Sequence, residues 1–190
     1  MSQAAAPRLT RECSRVFAGR RTWRPTWADT RTAARLLCDA EAAHPPDVIV
    51  GIARGGAWPA RVIASYMRRP FAVVTARHNV TDKPRVQGSG EVTVHTVSAR
   101  SIEPYARVLV VDDICGTGAT LHTVVASLDA LANPALIRTV ALCRNAGSSY
   151  EPDHWVWDVD DWVAFPWEPA PDQPPPLERL AAPTSVRRRS

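Results

Sequence analysis

The sequence predicts an α/β fold in which a parallel sheet of about five strands is flanked by helices. Runs of apolar, largely β-branched residues alternate along the chain with segments of helical periodicity, a pattern typical of strand–helix–strand units. Most of these runs are continuously apolar rather than alternating, as expected of strands that are covered on both faces. A chain of 190 residues is long enough to enclose the core of one such domain.

The elements follow one another in a regular order. Thr26 is a suitable N-cap, and apolar residues at helical spacing predict a helix from there to about Ala43, where His44-Pro45-Pro46 ends it. Further strands are predicted at 47–53, 71–77, 91–97, 107–113 and 137–143, and further helices at about 57–68 and 117–132. The run at 91–97 alternates apolar and polar residues, which predicts a half-exposed strand or one arm of a hairpin.

Three segments differ in composition from the rest of the chain. Residues 1–22 are basic and lack clear periodicity, so we expect a loose arm, and residues 169–190 form a proline-rich, basic tail that we expect to be disordered. The folded domain should therefore span residues 23–168. It includes an aromatic-rich appendage at about 150–168, which we call the hood. The polar segment 78–90, with one proline and two glycines, predicts a flexible loop.

Charge and cysteine content exclude several classes of protein. Residues 1–25 hold six Arg and one Glu, and residues 187–189 are all Arg; without these ends the net charge of +4 becomes about −4. We therefore expect no nucleic-acid partner for the folded part. No apolar run approaches the length of a membrane span, and we expect a cytoplasmic protein. The four cysteines form no CxxC pair that would indicate zinc or a disulfide framework: Cys13, Cys38, Cys115 and Cys143.

The most informative stretch is VLVVDDICGTGAT, at residues 108–120. A buried strand ends on Asp112 and Asp113, and a turn of small residues follows it and opens a helix. Ligands of open parallel sheets bind at the carboxyl ends of the strands, and the backbone N–H groups of a helix N-terminus favour an anion. A strand that ends in acids before an ordinary helix cap explains the acid pair but not the whole pattern. The two carboxylates can accept hydrogen bonds from a diol, and the turn beside them can hold a phosphate. Together they predict a sugar phosphate as ligand.

This stretch resembles the phosphoribosyl-pyrophosphate loop of the type I phosphoribosyltransferases. The resemblance implies that Asp112 and Asp113 are catalytic and hold the ribose hydroxyls. It implies that Asp113 also helps to hold Mg²⁺, mainly through substrate oxygens and water. The 5-phosphate would then be bound by the turn and the first residues of the helix: Cys115, Gly116, Thr117, Gly118, Ala119 and Thr120.

Two further segments resemble the same family. GIARGGAWPAR, at 51–61, is similar to its pyrophosphate-binding loop. That similarity implies a cis peptide bond between Ala53 and Arg54 and pyrophosphate contacts from four residues: Ala53, Arg54, Gly55 and Gly56. DWVAFPWE, at 161–168, is similar to the hood of the xanthine, guanine and hypoxanthine (6-oxopurine) enzymes. It implies that an aromatic ring stacks on the base and that a base site is formed by Ile114, Arg144, Trp162 and Val163.

Each of these base-site roles has an alternative or a complication. Trp162 would supply the stacking ring and Val163 its main chain, but a tryptophan that packs the hood onto the sheet is the alternative. Gly116 stands where the 6-oxopurine enzymes usually have an aspartate that handles the proton at N7. Arg144 stands where they usually have a lysine that donates to O6, and a salt bridge to Asp160 or Asp161 is its alternative role.

The absence of this acid puts in doubt which base is the acceptor, and not the type of reaction, since adenine and orotate members of the superfamily also lack it. A 7-deazapurine has no N7 proton and is one acceptor that Gly116 would suit. In the loop at 78–90, Lys83 and Arg85 are the candidates for catalytic cations that close over pyrophosphate, and a solvated surface loop explains them nearly as well.

The resemblance thus implies a Mg²⁺-dependent enzyme, a dimer or tetramer. It would transfer 5-phosphoribose from phosphoribosyl pyrophosphate to a purine-like base and release pyrophosphate. Two alternatives stay open from the sequence. One is a regulator that senses phosphoribosyl pyrophosphate or a nucleotide without catalysis, and the other is an enzyme with a non-purine acceptor in specialised metabolism.

Overall fold

The structure is a computed structural model that describes residues 15–78, 92–95, 107–168 and 176–190 of the chain. The strands of these ranges are β1 (Thr22–Arg24), β2 (Val48–Ala53), β3 (Phe71–His78), β4 (Val92–His95), β5 (Arg107–Cys115), β6 (Leu136–Asn145), β7 (His154–Val159), β8 (Trp162–Val163), β9 (Leu177–Arg179) and β10 (Arg187–Arg188). The helices are α1 (Trp27–Ala40), α2 (Ala57–Met67) and α3 (Ala119–Ala132), and a short 3₁₀ helix (Glu41–Ala43) follows α1.

A seven-stranded sheet forms the centre, in the order β10-β7-β6-β5-β2-β3-β4. The five inner strands β7, β6, β5, β2 and β3 are parallel, while β4 and β10 pair antiparallel at the two edges. The predicted α/β fold with about five parallel strands is therefore confirmed. The membership of the five differs, however: β4 is a hairpin arm, and β7, which we assigned to the hood, is the fifth parallel strand.

Helices cover both faces of this sheet, which explains the continuously apolar strands. On β5, Leu109 packs in one cluster with Leu37 of α1 and Ile63 of α2. Its neighbour Val110 points the other way and packs with Val124 of α3. Because successive side chains of a strand face opposite sides, a strand between two helical layers has no solvent-facing position for a polar residue.

The start of α1 lies where the sequence predicts it. The Oγ1 atom of Thr26 accepts a hydrogen bond from the backbone N–H of Asp29 at 3.1 Å. The Asp29 carboxylate in turn accepts one from the backbone N–H of Thr26, also at 3.1 Å. This reciprocal pair is a capping box, which satisfies N–H groups that the first turn of a helix leaves free.

A buried ion pair joins the end of α1 to the sheet. The Glu41 side chain is fully buried, and its two oxygens lie 2.6 Å from Arg138 Nε and 2.7 Å from His154 Nδ1. Arg138 also lies 3.5 Å from Asp153. The hydrogen bond to Glu41 raises the pKa of the Arg138 guanidinium above its ordinary value. The carboxylate thus binds β6 and β7 to the 3₁₀ helix at one point.

A second, three-stranded sheet in the order β8-β1-β9 involves the segment that we expected to be a disordered tail. β9 pairs with β1, and β10 pairs with β7. Leu180 is buried in the core, and the indole N–H of Trp157 donates to the Ala181 carbonyl at 3.0 Å. The expectation of disorder is therefore wrong for residues 176–190, since proline-rich composition did not reveal that these residues bury apolar surface.

The expected loose arm is also wrong for residues 15–21. The backbone N–H of Ala18 donates to the Asp160 carbonyl at 2.9 Å. Those of Arg20 and Arg21 donate to Oδ2 of the buried Asp161 at 2.9 and 3.3 Å. These bonds join segments about 140 positions apart in the sequence, beyond the reach of any local pattern.

Three predictions fall on residues outside the described ranges. These are the first part of the arm, residues 1–14, the loop that carries Lys83 and Arg85, and the first part of the tail, residues 169–175. Within the described ranges, no helix is both long enough and apolar enough to cross a membrane.

Candidate active site

Asp112 and Asp113 lie side by side near the carboxyl end of β5, in the middle of the sheet. Both are nearly buried, with 8% and 7% of their surface exposed. Asp112 Oδ1 accepts a hydrogen bond from the Asp113 N–H at 3.0 Å, and Asp113 Oδ1 accepts one from the Ile114 N–H at 2.8 Å. Each carboxylate keeps a second oxygen that can accept further donors from a ligand.

Burial raises the pKa of both carboxyl groups, since a low-dielectric environment disfavours the charged form. The negative charge of Asp113 raises the pKa of Asp112 further, to well above its ordinary value. The nearby positive charge of Arg15 lowers both pKa values and so opposes the effect of burial. The pair therefore favours a ligand that brings hydrogen-bond donors or positive charge.

A turn leads from the acids into α3 and forms the second wall of the site. Gly118 has a φ of 91°, and a Cβ there would overlap the side chain of Tyr150, so the turn requires glycine at this position. Thr117 Oγ1 accepts a hydrogen bond from the Ala119 N–H at 3.3 Å. The first turn of α3 opens beside the acids, and the N–H groups and dipole of a helix N-terminus suit a phosphate.

These elements enclose a pocket of about 240 Å³. Ten of the residues predicted for the site line it: Ala53, Gly55, Asp112, Asp113, Ile114, Cys115, Gly116, Thr117, Gly118 and Thr120. Four residues that the sequence did not suggest also line it: Arg15, Ile52, Ala76 and Leu121. The sequence thus predicted most of the pocket lining, and the charged residue that it missed is Arg15.

The loop after β2 supplies the third wall. The peptide bond between Ala53 and Arg54 is cis, as the resemblance implied. Arg54 is exposed, and Gly56 is the N-cap of α2. Gly55 lies directly against Asp113: a Cβ on Gly55 would overlap the Asp113 carboxylate. The loop and the acids therefore pack together without room for a side chain between them.

Replacing Gly55 with alanine should displace the Asp113 carboxylate, because the added methyl group occupies its position. We expect kcat/KM for the donor substrate to fall about 10²-fold, the size of effect that a 1 Å misplacement of a catalytic group can produce. Steady-state kinetics beside the thermal midpoint Tm would measure it. Gly19→Ala is the control for backbone strain: its φ of 69° disfavours any residue but glycine, while no atom lies within 4 Å of the added methyl group. It should lower Tm and leave kcat/KM unchanged. An unchanged kcat/KM in Gly55→Ala would contradict the placement of Asp113 in the site.

Of the four residues predicted for the base site, Ile114 lines this pocket, whereas Arg144, Trp162 and Val163 lie outside its lining. Trp162 is half-buried, and its ring stacks on that of Phe17 with centroids 6.4 Å apart. Val163 lies in β8 with its side chain buried in the core. The stack with Phe17 gives Trp162 a partner from the N-terminal segment that the sequence did not suggest.

The guanidinium group of Arg144 is held by the loop between β6 and β7. It donates to the carbonyl groups of Ser148 and Tyr150 at 3.2 and 3.4 Å and lies 3.3 Å from the Glu151 carboxylate. It also lies over the ring of Trp155. The acid that pairs with Arg144 is therefore Glu151, and neither of the two hood aspartates that we considered.

Cys115 contributes packing to the turn. Its thiol is buried, 3.3 Å from Ser148 Oγ, and burial raises the pKa of this thiol to about 12. A thiol with such a pKa stays protonated at neutral pH and is a poor nucleophile. The side chain is a small filler between β5 and the loop after β6.

Comparison with known proteins agrees with this geometry. The family described as the phosphoribosyl transferase domain matches residues 28–174. A xanthine-guanine phosphoribosyltransferase of Gluconobacter oxydans (strain 621H) is 31% identical over 160 residues, which are 81% of this chain and 89% of that protein.

Solved structures extend the likeness to three dimensions. A purine phosphoribosyltransferase from Pyrococcus horikoshii Ot3 aligns with a TM-score of 0.65 at 27% identity, over 78% of this chain and 95% of that one. A xanthine-guanine-hypoxanthine phosphoribosyltransferase of Helicobacter pylori shares the fold, with a TM-score of 0.61 at 16% identity over 77% and 91% of the two chains. This chain therefore belongs to the phosphoribosyltransferase family, as an enzyme of the purine phosphoribosyltransferase type.

Proposed function

We propose that the enzyme transfers 5-phosphoribose from phosphoribosyl pyrophosphate to a ring nitrogen of an oxopurine-like base and releases pyrophosphate. The observation that carries this proposal is the pocket in which two buried carboxylates face the N-terminus of α3 across a turn of small residues. The xanthine-guanine enzyme at 31% identity supports an oxopurine as the acceptor class.

In this proposal the residues of the pocket divide the donor substrate between them. The second oxygens of Asp112 and Asp113 accept hydrogen bonds from the ribose hydroxyls. The backbone of residues 116–120 binds the 5-phosphate, and the loop at 53–56 binds pyrophosphate. Holding the two ends fixes the C1′ atom between leaving group and base, which is where positioning contributes most to the rate.

The transfer breaks the bond from C1′ to the pyrophosphate oxygen and forms one from C1′ to the base nitrogen. The departing pyrophosphate takes the electron pair of the broken bond and accepts the proton that the base nitrogen loses. Positive charge develops on the ribose as the first bond breaks. The two nearly buried carboxylates would lie beneath that charge and stabilise it. Lys83 and Arg85 remain candidates for closing over the leaving group.

The donor set of the pocket fits Mg²⁺. Carboxylate oxygens are hard ligands of the kind that this ion prefers, and Mg²⁺ is usually held by one or two carboxylates together with substrate phosphates. Asp113 would hold the ion, mainly through substrate oxygens and water, and the ion would neutralise charge on pyrophosphate. Among the described residues there is no cluster of three or more potential metal ligands.

The proposal is tested by pyrophosphate release from phosphoribosyl pyrophosphate with and without Mg²⁺, across a panel of bases. The panel contains xanthine, guanine, hypoxanthine, adenine, orotate and a 7-deazapurine. We expect Mg²⁺-dependent release with at least one oxopurine.

The remaining outcomes each name a different function. Faster turnover of the 7-deazapurine than of guanine or hypoxanthine would identify the modified-base acceptor that Gly116 suits. Donor binding without release for any base would replace the transferase by a sensor or by an acceptor outside the panel. Sedimentation of the same sample tests the expected dimer or tetramer.

A further inference from the structure

Arg15 of the N-terminal segment lies inside the pocket, although no sequence pattern marks it. It lines the pocket together with Asp112, Asp113 and Gly116. A Cβ built on Gly116 would overlap the Arg15 guanidinium group, so that group occupies the space next to the bare backbone of the turn. The absence of a side chain at Gly116 thus has a local reason: it admits the arginine.

Hydrogen bonds to the Asn145 side chain fix the main chain next to Arg15. The Val16 N–H donates to Asn145 Oδ1 at 2.8 Å, and Asn145 Nδ2 donates back to the Val16 carbonyl at 3.0 Å. Asn145 is itself buried at the end of β6, where its Oδ1 also accepts from the Gly147 N–H at 2.9 Å. Because the Asn145 amide bonds both the N–H and the carbonyl group of Val16, it holds this segment in one position.

The segment reaches the pocket from the side of the hood. Two residues after Arg15, Phe17 stacks on Trp162, and Ala18 is bonded to the carbonyl of Asp160. Arg15 meets the phosphate cradle at its first residue, Gly116. Residues 15–17 therefore connect the Gly116 turn with the hood aromatic ring, and a base attached to the bound ribose would lie beside them.

The chemistry of Arg15 restricts what that base can present. A guanidinium group is always charged, donates hydrogen bonds and accepts none. It therefore favours a carbonyl oxygen or an anionic ring edge and disfavours an amino group. The other arginine near the base, Arg144, already directs its donors to Ser148, Tyr150 and Glu151.

We propose that Arg15 is a specificity-determining residue that donates to an oxo group of the acceptor base, and that Gly116 lacks a side chain to make room for it. This inference rests on the proposed function, because it assigns a contact to that function's acceptor. It accounts for a cation in a pocket whose other charged lining residues, Asp112 and Asp113, are acids.

Calorimetric titration of the full chain tests this contact without requiring turnover. The probes are xanthosine 5′-monophosphate, adenosine 5′-monophosphate and ribose 5-phosphate. We expect Arg15→Ala to weaken binding of the oxo nucleotide about 10–100-fold, the range for hydrogen bonds to a charged group, and to leave ribose 5-phosphate unchanged. The preference over the adenosine nucleotide should shrink by the same factor. Arg20→Ala is the matched control, since it removes an exposed arginine from the same segment.

A second pair of variants isolates the role of Gly116. Gly116→Ala should weaken the oxo nucleotide more in the wild-type background than in the Arg15→Ala background, because part of the effect of its methyl group is to displace the guanidinium. Equal weakening of all three probes by Arg15→Ala would overturn the proposal in favour of a phosphate contact. Tighter binding would overturn it in favour of an arginine that blocks the site. A chain that binds ribose 5-phosphate but turns over no base would refute only the proposed transferase.

Discussion

Replacing Asp113 with asparagine is expected to lower kcat/KM for phosphoribosyl transfer about 10²–10³-fold, the usual effect of removing one group that stabilises transition-state charge. Asparagine has the same shape, and its Oδ1 still accepts the Ile114 N–H. The variant therefore removes the charge that we propose to lie beneath the ribose and leaves the backbone of β5 in place. Steady-state pyrophosphate release measures the loss.

The same substitution is expected to raise Tm at pH 7. Burial raises the pKa of Asp113 above its value in the unfolded chain, so ionising it disfavours the folded state. This unfavourable contribution is absent below the unfolded pKa of about 4 and grows as the pH rises through the folded pKa. The difference in Tm between variant and wild type should therefore vanish as the pH falls towards about 4. Thermal scans between these two pH values measure it.

Asp47→Asn is the control with the opposite sign. The hydrogen bond from Arg107 lowers the pKa of Asp47, so its ionised form favours folding. This variant should lose Tm at pH 7 and approach wild type as the pH falls through the lowered pKa of Asp47. If Asp113→Asn also lost Tm at pH 7, as expected for Asp47→Asn, the ionised Asp113 carboxylate would not destabilise the folded state.

Replacing Glu41 with alanine is expected to produce the largest loss of stability. Its carboxylate is fully buried and holds both Arg138 and His154, and without it the Arg138 charge loses its nearest partner in a mostly buried position. Breaking a buried pair by removing one partner costs about 3–5 kcal/mol, which lowers Tm by roughly 6–20 °C in a domain of this size. Chemical and thermal unfolding both measure it.

Glu178→Ala removes an acid from a surface pair and serves as the control. Glu178 lies 2.9 Å from Arg21, but about half of its side chain is exposed at 47%, and exposed pairs contribute only about 0–1 kcal/mol. If both variants unfolded at the same temperature, Glu41 would be dispensable for joining α1 to β6 and β7.

The parts of this fold that the sequence predicted are those whose causes are local. Continuous apolar runs identify β2 and β5 because both faces of those strands are covered, and the Thr26–Asp29 spacing identifies the start of α1. The acid pair and the turn after it are also contiguous, so ten residues of the pocket could be named. Periodicity and short motifs carry this kind of information.

The missed parts depend on contacts between distant segments. Val16 and Asn145 are 129 positions apart, and nothing in the composition of either neighbourhood announces their paired hydrogen bonds. Arg15 is one of six arginines in the first 25 residues, and only that anchoring distinguishes it from the others. For the same reason the prolines after β8 suggested disorder, while the burial of Leu180 determines the outcome.

The position of β10 has a consequence for solubility. Without a neighbour, β7 would be the edge strand of the central sheet, and its sequence HWVWDV offers apolar side chains and free backbone groups to another chain. β10 pairs with the first two residues of that edge, His154 and Trp155, and places two exposed arginines there, one of which pairs with Asp158 at 3.0 Å. A short outer strand of like charges repels a second copy of itself. The arginines at the end of the chain thus protect the enzyme from edge-to-edge aggregation.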